Sequence, residues 1–196
     1  MTLAPVTLAG RHVRLEPLGP AHAASLLAVA LDEALWRWTT TQVGSAPELD
    51  AYVAAALRAQ AEGTALPFAT VDLASGRVAG STRFANASLA DRRVEIGWTW
   101  LGRDYQRTAL NSEAKLLMLE HAFGPLDCIR VELKTDALNA QSRAAIRRLG
   151  ASEEGTLRQH TITSTGRVRD TVYYSILRDE WPAVRARLLA RLEAEP

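Results

Sequence analysis

The chain has 196 residues, 47% of them hydrophobic and 23% charged, with a formal net charge of +1. That length suits one domain with a full core and is short for two, and the charge gives no reason to expect nucleic acid or an anionic membrane as a partner. No apolar run approaches the ~18 residues of a membrane span, Met1 to Gly10 lacks the charged start of a signal peptide, and a cytoplasmic protein is expected.

In chain order, Arg11 to Pro17 alternates polar and apolar residues as a half-buried strand does, and Pro17 ends it. Two helices are predicted next, over 20–31 and 47–62. The second opens on Ser45-Ala46-Pro47-Glu48, a capping-box spacing, and carries Leu49, Val53, Leu57 and Gln60 on one stripe. Phe68 to Val71, the turn Ala74-Ser75-Gly76 and Val78 to Phe84 read as a hairpin. In Val94 to Leu101, alternation places Val94, Ile96, Trp98 and Trp100 on one face and Glu95, Gly97 and Thr99 on the other.

A helix is predicted from Asn111 to Phe123, then a strand with Ile129, Val131 and Leu133 on one face, then a helix over 139–149. Two strands flank the turn Ser164-Thr165-Gly166, and Trp181-Pro182 opens a last helix with Val184, Leu188 and Leu192 aligned. This order predicts a mixed α/β layer, a meander followed by a strand-helix-strand crossover. Neither repeat nor linker divides it, so one domain over 1–196 is expected.

Cys128 is the only cysteine, which excludes an internal disulfide, and its apolar setting reads as structural. His12, His22, His121 and His160 have no ligand spacing, and no metal is expected. The informative stretch runs from Glu95 to Ala114 as strand, polar loop and helix start. Successive amides entering a helix N-terminus form an anion site that suits a diphosphate, and Asn111 or Ser112 can equally serve as a plain cap. Trp36 and Trp38, between the first two helices, can wall a cation pocket or belong to a core or interface. No Gly-x-Gly-x-x-Gly follows a strand, against a dinucleotide-binding domain.

The stretch around Gln106 resembles the coenzyme A motif of the GCN5-related N-acetyltransferases, Q/R-x-x-G-x-G/A, in the branch typified by RimJ and RimL. The resemblance runs nearly the whole length, through Gly10 to Pro17, Glu95-Ile96-Gly97, Asn111 to Lys115, Asn139 to Ser142, Arg148 to Ala151, Gly155 to Arg158, Arg169 to Ile176 and Glu180-Trp181-Pro182. Gln106 matches the first motif position, whereas Ala109 and Asn111 stand where glycine, or glycine and alanine, are preferred. A residue at Ala109 with positive φ would cost about 1 kcal/mol.

The resemblance implies a mostly antiparallel central sheet of about seven strands with a splayed central pair, flanked by helices. It implies acetyl-CoA as donor, pairing through its pantetheine arm with the strand ending at Trp100 and Leu101. Its phosphates would meet Gln106, Arg107, Thr108, Ala109, Leu110, Asn111 and Ser112. Asn139, Ser142 and Arg143 would lie along the coenzyme, and Arg107 and Arg143 are otherwise solvated.

Direct attack by a neutral amine needs a proton acceptor, donors for the oxyanion and an acid for the leaving thiolate, and no covalent enzyme intermediate. Glu95 is the candidate base and Ser142 the candidate acid, with Tyr105 and Tyr174 as alternatives. Trp36 and Trp38 would cover the acceptor, a small-molecule amine or a peptide N-terminus. The departure at Ala109 leaves a non-catalytic acyl-CoA-binding sensor or partner module as the alternative. A homodimer through the last hairpin and helix competes with an internal contact.

Overall fold

The computed structural model describes residues 3–88 and 90–194. One eight-stranded sheet forms its centre: β1 (Leu8–Ala9), β2 (Val13–Pro17), β3 (Leu66–Asp72), β4 (Val78–Ser88), β5 (Arg93–Leu101), β6 (Arg130–Asp136), β7 (Ser152–Ile162) and β8 (Val168–Leu177). The spatial order is β1-β2-β3-β4-β5-β6-β8-β7, antiparallel throughout except for β5 beside β6. The strand beyond the expected seven is β1, which hairpins onto β2.

Five α-helices flank the sheet: α1 (Ala23–Ala30), α2 (Ala46–Ala61), α3 (Ala109–Phe123), α4 (Ala140–Leu149) and α5 (Trp181–Ala194). One core joins α3 and α5 to the sheet through residues such as Phe84, Ile96, Met118, Ile176 and Leu188. A second, under α1 and α2, collects Leu26, Trp36, Leu49, Tyr52, Val53 and Trp100. The stripe Val184, Leu188 and Leu192 is buried in the first of these, so it is spent inside the chain. The front face below is the one under α1 and α2; the back face carries α3 and α5.

Local rules explain most boundaries. Ser45 caps α2, its Oγ accepting from the Glu48 amide at 3.4 Å. The Glu48 carboxylate turns back to the Gly44 amide at 2.8 Å, one residue earlier than a strict capping box. Gly150 ends α4 in the left-handed region at φ 97°, where a side chain would be strained.

The central pair positions the site. β5 and β6 pair only at Arg93↔Arg130, Val94↔Val131 and Glu95↔Glu132, and beyond them no ladder joins the two strands. The cause lies on the other edge of β5. Arg83 faces Gly97 and Ser81 faces Trp100, so two residues of β5, Trp98 and Thr99, stand against Thr82 alone. Such a bulge bends the strand and increases its twist. Trp98 takes φ 49°, an outlier for a bulky residue.

The bulge also corrects the expected alternation. Val94 and Ile96 enter the back core and Trp100 the front one, while Trp98 sits with Arg83 and Lys134 on the face of Glu95. Thr99 takes the opposite side, bonded to Thr82 and Lys115.

Candidate active site at the splayed strand pair

Because β5 and β6 are parallel, their C-terminal ends open at the same edge of the sheet, and each leads into a helix, α3 and α4. A crevice outside the carboxyl ends of diverging parallel strands is the usual ligand position in such sheets.

At the closed end of the splay lies Glu95, 2% exposed. Its Oε2 accepts from Asn86 Nδ2 at 2.7 Å and from Lys134 Nζ at 2.9 Å, the latter reaching across from β6. Asn86 takes φ 49° at a second irregularity, in β4, a conformation asparagine tolerates. The other oxygen, Oε1, accepts no hydrogen bond from a described residue. It folds over Gly97, where a β-carbon would come within 2.8 Å of it. Glycine at this position therefore lets a carboxylate oxygen rest against the bulged strand.

The other candidates fall at the wide end. Gln106 donates from Nε2 to the Leu101 carbonyl at 2.9 Å and ties the loop to the end of β5. The helix α3 starts at Ala109, two residues earlier than expected, and its cap is Thr108 rather than Asn111 or Ser112. Thr108 Oγ1 accepts from the Leu110 amide at 3.4 Å and donates to the Tyr105 carbonyl at 2.8 Å. Ala109 is helical, and the positive φ, 60°, falls on Arg107. Of the two conformations open to Ala109 the unstrained one is found, and the non-glycine Arg107 takes the positive φ instead.

No acidic residue stands in the first turn, so the positive end of the α3 dipole and its unpaired amides are uncompensated there. Ser112 is buried, as are Trp100 and Leu101, whose backbones nevertheless line the unladdered edge.

Asn139 caps α4, its Oδ1 accepting from the Ser142 amide at 3.0 Å. The Ser142 hydroxyl makes no hydrogen bond with a described residue. Arg143 is engaged within the protein, with Tyr174 Oη at 3.3 Å, the Ala137 carbonyl at 3.2 Å and Glu153 at 3.8 Å. Tyr174 is fully buried behind it, while Tyr105 is half-buried beside the loop.

The two tryptophans separate. Trp36 is 2% exposed, donates to the Ala30 carbonyl at 2.7 Å and packs on Tyr52 and Trp100 inside the core under α1 and α2. Trp38 is half-buried, its ring met by Arg37 at 4.8 Å and Arg167 at 5.4 Å.

Cys128 is buried, and desolvation pushes its thiol up to about 11, which suits packing and not attack. No group of three potential metal ligands occurs among the described residues. No helix there is long and apolar enough to cross a membrane.

Asn86, Lys134 and Arg83 were missed in the sequence. Lys134 had a signal, since alternation with Leu133 puts it on the face of Glu132. Arg83 interrupts a strand of small and apolar residues. Nothing local marks Asn86.

Residues 12–152 match the family described as acetyltransferase (GNAT) domain. A protein of Bacillus subtilis (strain 168) named as a ribosomal N-acetyltransferase, YdaF, is 31% identical over 109 residues, which are 56% of this chain and 58% of that protein. The match thus spans less than two thirds of that relative's length. A GCN5-related N-acetyltransferase from Brucella melitensis superposes with a TM-score of 0.90 at 32% identity, over 96% of this chain and 86% of that one. RimJ of Mycobacterium smegmatis, solved in complex with CoA-disulfide, gives a TM-score of 0.82 at 23% identity over 97% of each chain, a likeness of fold.

Proposed function

Since the chain belongs to the GNAT acetyltransferase family, we propose that residues 1–196 act as one domain that transfers an acetyl group from acetyl-CoA to a primary amine. Residues 1, 2, 89, 195 and 196 of that unit lie outside the described residues. The acceptor is a peptide N-terminus or a small-molecule amine.

The residues at the wide end fit the coenzyme. The first-turn amides of α3 and the Thr108 cap suit a diphosphate, with Arg107 exposed beside them. The unladdered edge of β5, from Ile96 to Leu101, offers backbone groups to the amides of a pantetheine arm. Asn139 and Ser142 would flank that arm from α4, and Arg143 would have to leave its protein partners to reach a phosphate.

The single observation that carries the chemistry is Glu95 Oε1, uncommitted over Gly97 where the splay begins. The amine nitrogen attacks the thioester carbonyl, backbone N–H groups at the Trp98–Thr99 bulge receive the oxyanion, and the C–S bond breaks. The proton lost by nitrogen passes to Glu95 directly or through water. Ser142, whose hydroxyl is uncommitted, protonates the leaving thiolate and is reprotonated from solvent. Lys134 and Asn86 hold the other oxygen of Glu95 and so act as positioning residues.

The test is thiol release from acetyl-CoA with a panel of amines and peptides, for the wild type and Glu95→Gln. The variant should lose roughly hundredfold or more in kcat with coenzyme affinity unchanged. Unchanged turnover in the variant removes Glu95 from the mechanism. Bound coenzyme with no turnover on any acceptor would instead mark a non-catalytic acyl-CoA module.

A further inference from the structure

Acetyl transfer as derived above makes no use of Arg83. This arginine is 6% exposed and projects from β4 on the face that carries Glu95. Its guanidinium carbon lies 5.1 Å from the ring centroid of Tyr52 and 5.1 Å from that of Trp98. Its Nε is buried without a hydrogen-bond partner, and none of its side-chain donors bonds a described residue. No carboxylate of a described residue stands within 4.0 Å of it.

The neighbouring cations are paired. Lys134 is bound to Glu95 and Arg167 to Asp136, and Arg169 stands 3.9 Å from Asp136. Two aromatic contacts offset part of the cost of burying a guanidinium, but they satisfy none of its N–H groups. Arg83 borders a cavity of about 240 Å³ between α2 and the β4–β5 strands, lined also by Tyr52, Trp98, Glu48, Thr41 and Gln42. Glu48 is no substitute counter-ion, since its carboxylate is turned to the Gly44 amide at 2.8 Å and Ser45 Oγ at 3.0 Å. Trp98 belongs to both the cavity and the bulge, so the cavity adjoins the point of acyl transfer.

We propose that this cavity is a carboxylate-binding subsite built on Arg83, and that the acceptor is therefore an amine that also carries a carboxylate. The proposal rests on the acetyltransferase reading and names the substrate class of the same site. A guanidinium presents parallel N–H donors that match the two oxygens of a carboxylate, and aromatic walls fix the plane of that fork. Arg83 and Gly97 are register partners across β4 and β5, and Glu95 lies over Gly97. An acceptor held by its carboxylate at Arg83 thus presents its amine on the face of the base. The carboxylate is either the α-carboxylate of a free amino acid or an acidic side chain near a peptide N-terminus.

The experiment pairs acceptors that differ only in that charge. Free amino acids are compared with their amides, and peptide amides with glutamate at the second position with those bearing glutamine. The wild type should favour the carboxylate member in one series by roughly ten- to hundredfold in kcat/KM. Arg83→Gln should abolish the preference, Arg83→Lys should keep part of it, and the KM for acetyl-CoA should not move in either.

Calorimetric titration with N-acetylalanine and N-acetylalaninamide, and with the acetylated Glu and Gln peptides, reads the same preference without turnover. Binding preference without any turnover leaves the subsite standing and sinks the acetyltransferase reading. Turnover with equal rates for charged and amidated acceptors in both series overturns the subsite alone, as does a preference that persists in Arg83→Gln.

Discussion

Glu95 and Glu113 are both buried glutamates, 2% and 6% exposed, and they are held in opposite ways. Glu113, on α3 at the back of the sheet, accepts from three backbone amides, those of Arg11 at 2.7 Å, His12 at 2.6 Å and Val13 at 2.8 Å. A β-carbon at Gly10 would come within 2.4 Å of it, so glycine there lets the chain close around the carboxylate. Glu95, on the front face, is held through one oxygen by two side chains, one of which crosses the splay. Backbone donors cannot leave without unfolding, whereas side-chain donors can turn. The first arrangement fixes the start of β2 to α3; the second leaves an oxygen able to take a proton. The same contrast separates Lys115, bonded to the Thr99 hydroxyl at 2.6 Å on the back face, from Arg83 on the front.

The sharpest way to break this contrast is to remove each carboxylate and ask which property falls. Glu113→Ala leaves three amides unpaired, one of them buried, and should cost about 4 kcal/mol in chemical denaturation. Its turnover per folded molecule should change little. Glu95→Gln should do the reverse, with a denaturation midpoint near that of the wild type and a much lower kcat. If Glu113→Ala unfolds no more easily than Glu95→Gln, the division between a structural and a functional carboxylate is wrong.

A smaller effect asks whether the two tasks of α3, holding β2 and presenting amides at the splay, can be separated. Thr108→Ala deletes the cap two residues before the Leu110 amide and leaves Glu113 untouched. It should cost about 1 kcal/mol of stability. Coenzyme affinity in titration should weaken severalfold, since the first turn loses its fixed geometry. Equal affinity in the variant would show that the amides of α3 do not meet the diphosphate.

What the sequence could tell follows the range of the interaction involved. Caps are decided within four residues, so Ser45 was legible, and so was the stripe of α5. The start of α3 was misplaced because Thr108, Asn111 and Ser112 are all competent caps, and only the turn at Tyr105 to Thr108 selects among them. Alternation in β5 held to Gly97 and failed at Trp98, because the positive φ of the bulge falls on tryptophan and only the neighbouring Gly97 hints at the irregularity. Glu95 stood out through family likeness, but its partner Lys134 lies 39 residues from it in the chain, and the amides that hold Glu113 lie about 100 residues from that carboxylate. No window of sequence contains both members of such a pair.

The last test concerns charge on the back face. Lys115 is 5% exposed, and burial lowers its amine from the ordinary 10.5 to about 7. It donates to Thr99 at 2.6 Å, with Thr82 at 3.4 Å, and no carboxylate balances it among the described residues. Since the folded value lies below the unfolded one, the unfolded chain binds more protons between about 7 and 10.5, and stability contributed at this site must rise with pH across that window. Below about 7 both states are protonated and the contribution is flat. Measured against Lys115→Met, the wild type should gain stability from pH 7 to pH 10 with a slope approaching about 1.4 kcal/mol per pH unit. A flat difference would mean that the ammonium is compensated in the folded state. The back face would then hold a buried cation as the front face does, and a buried cation alone would no longer distinguish the ligand side of the sheet.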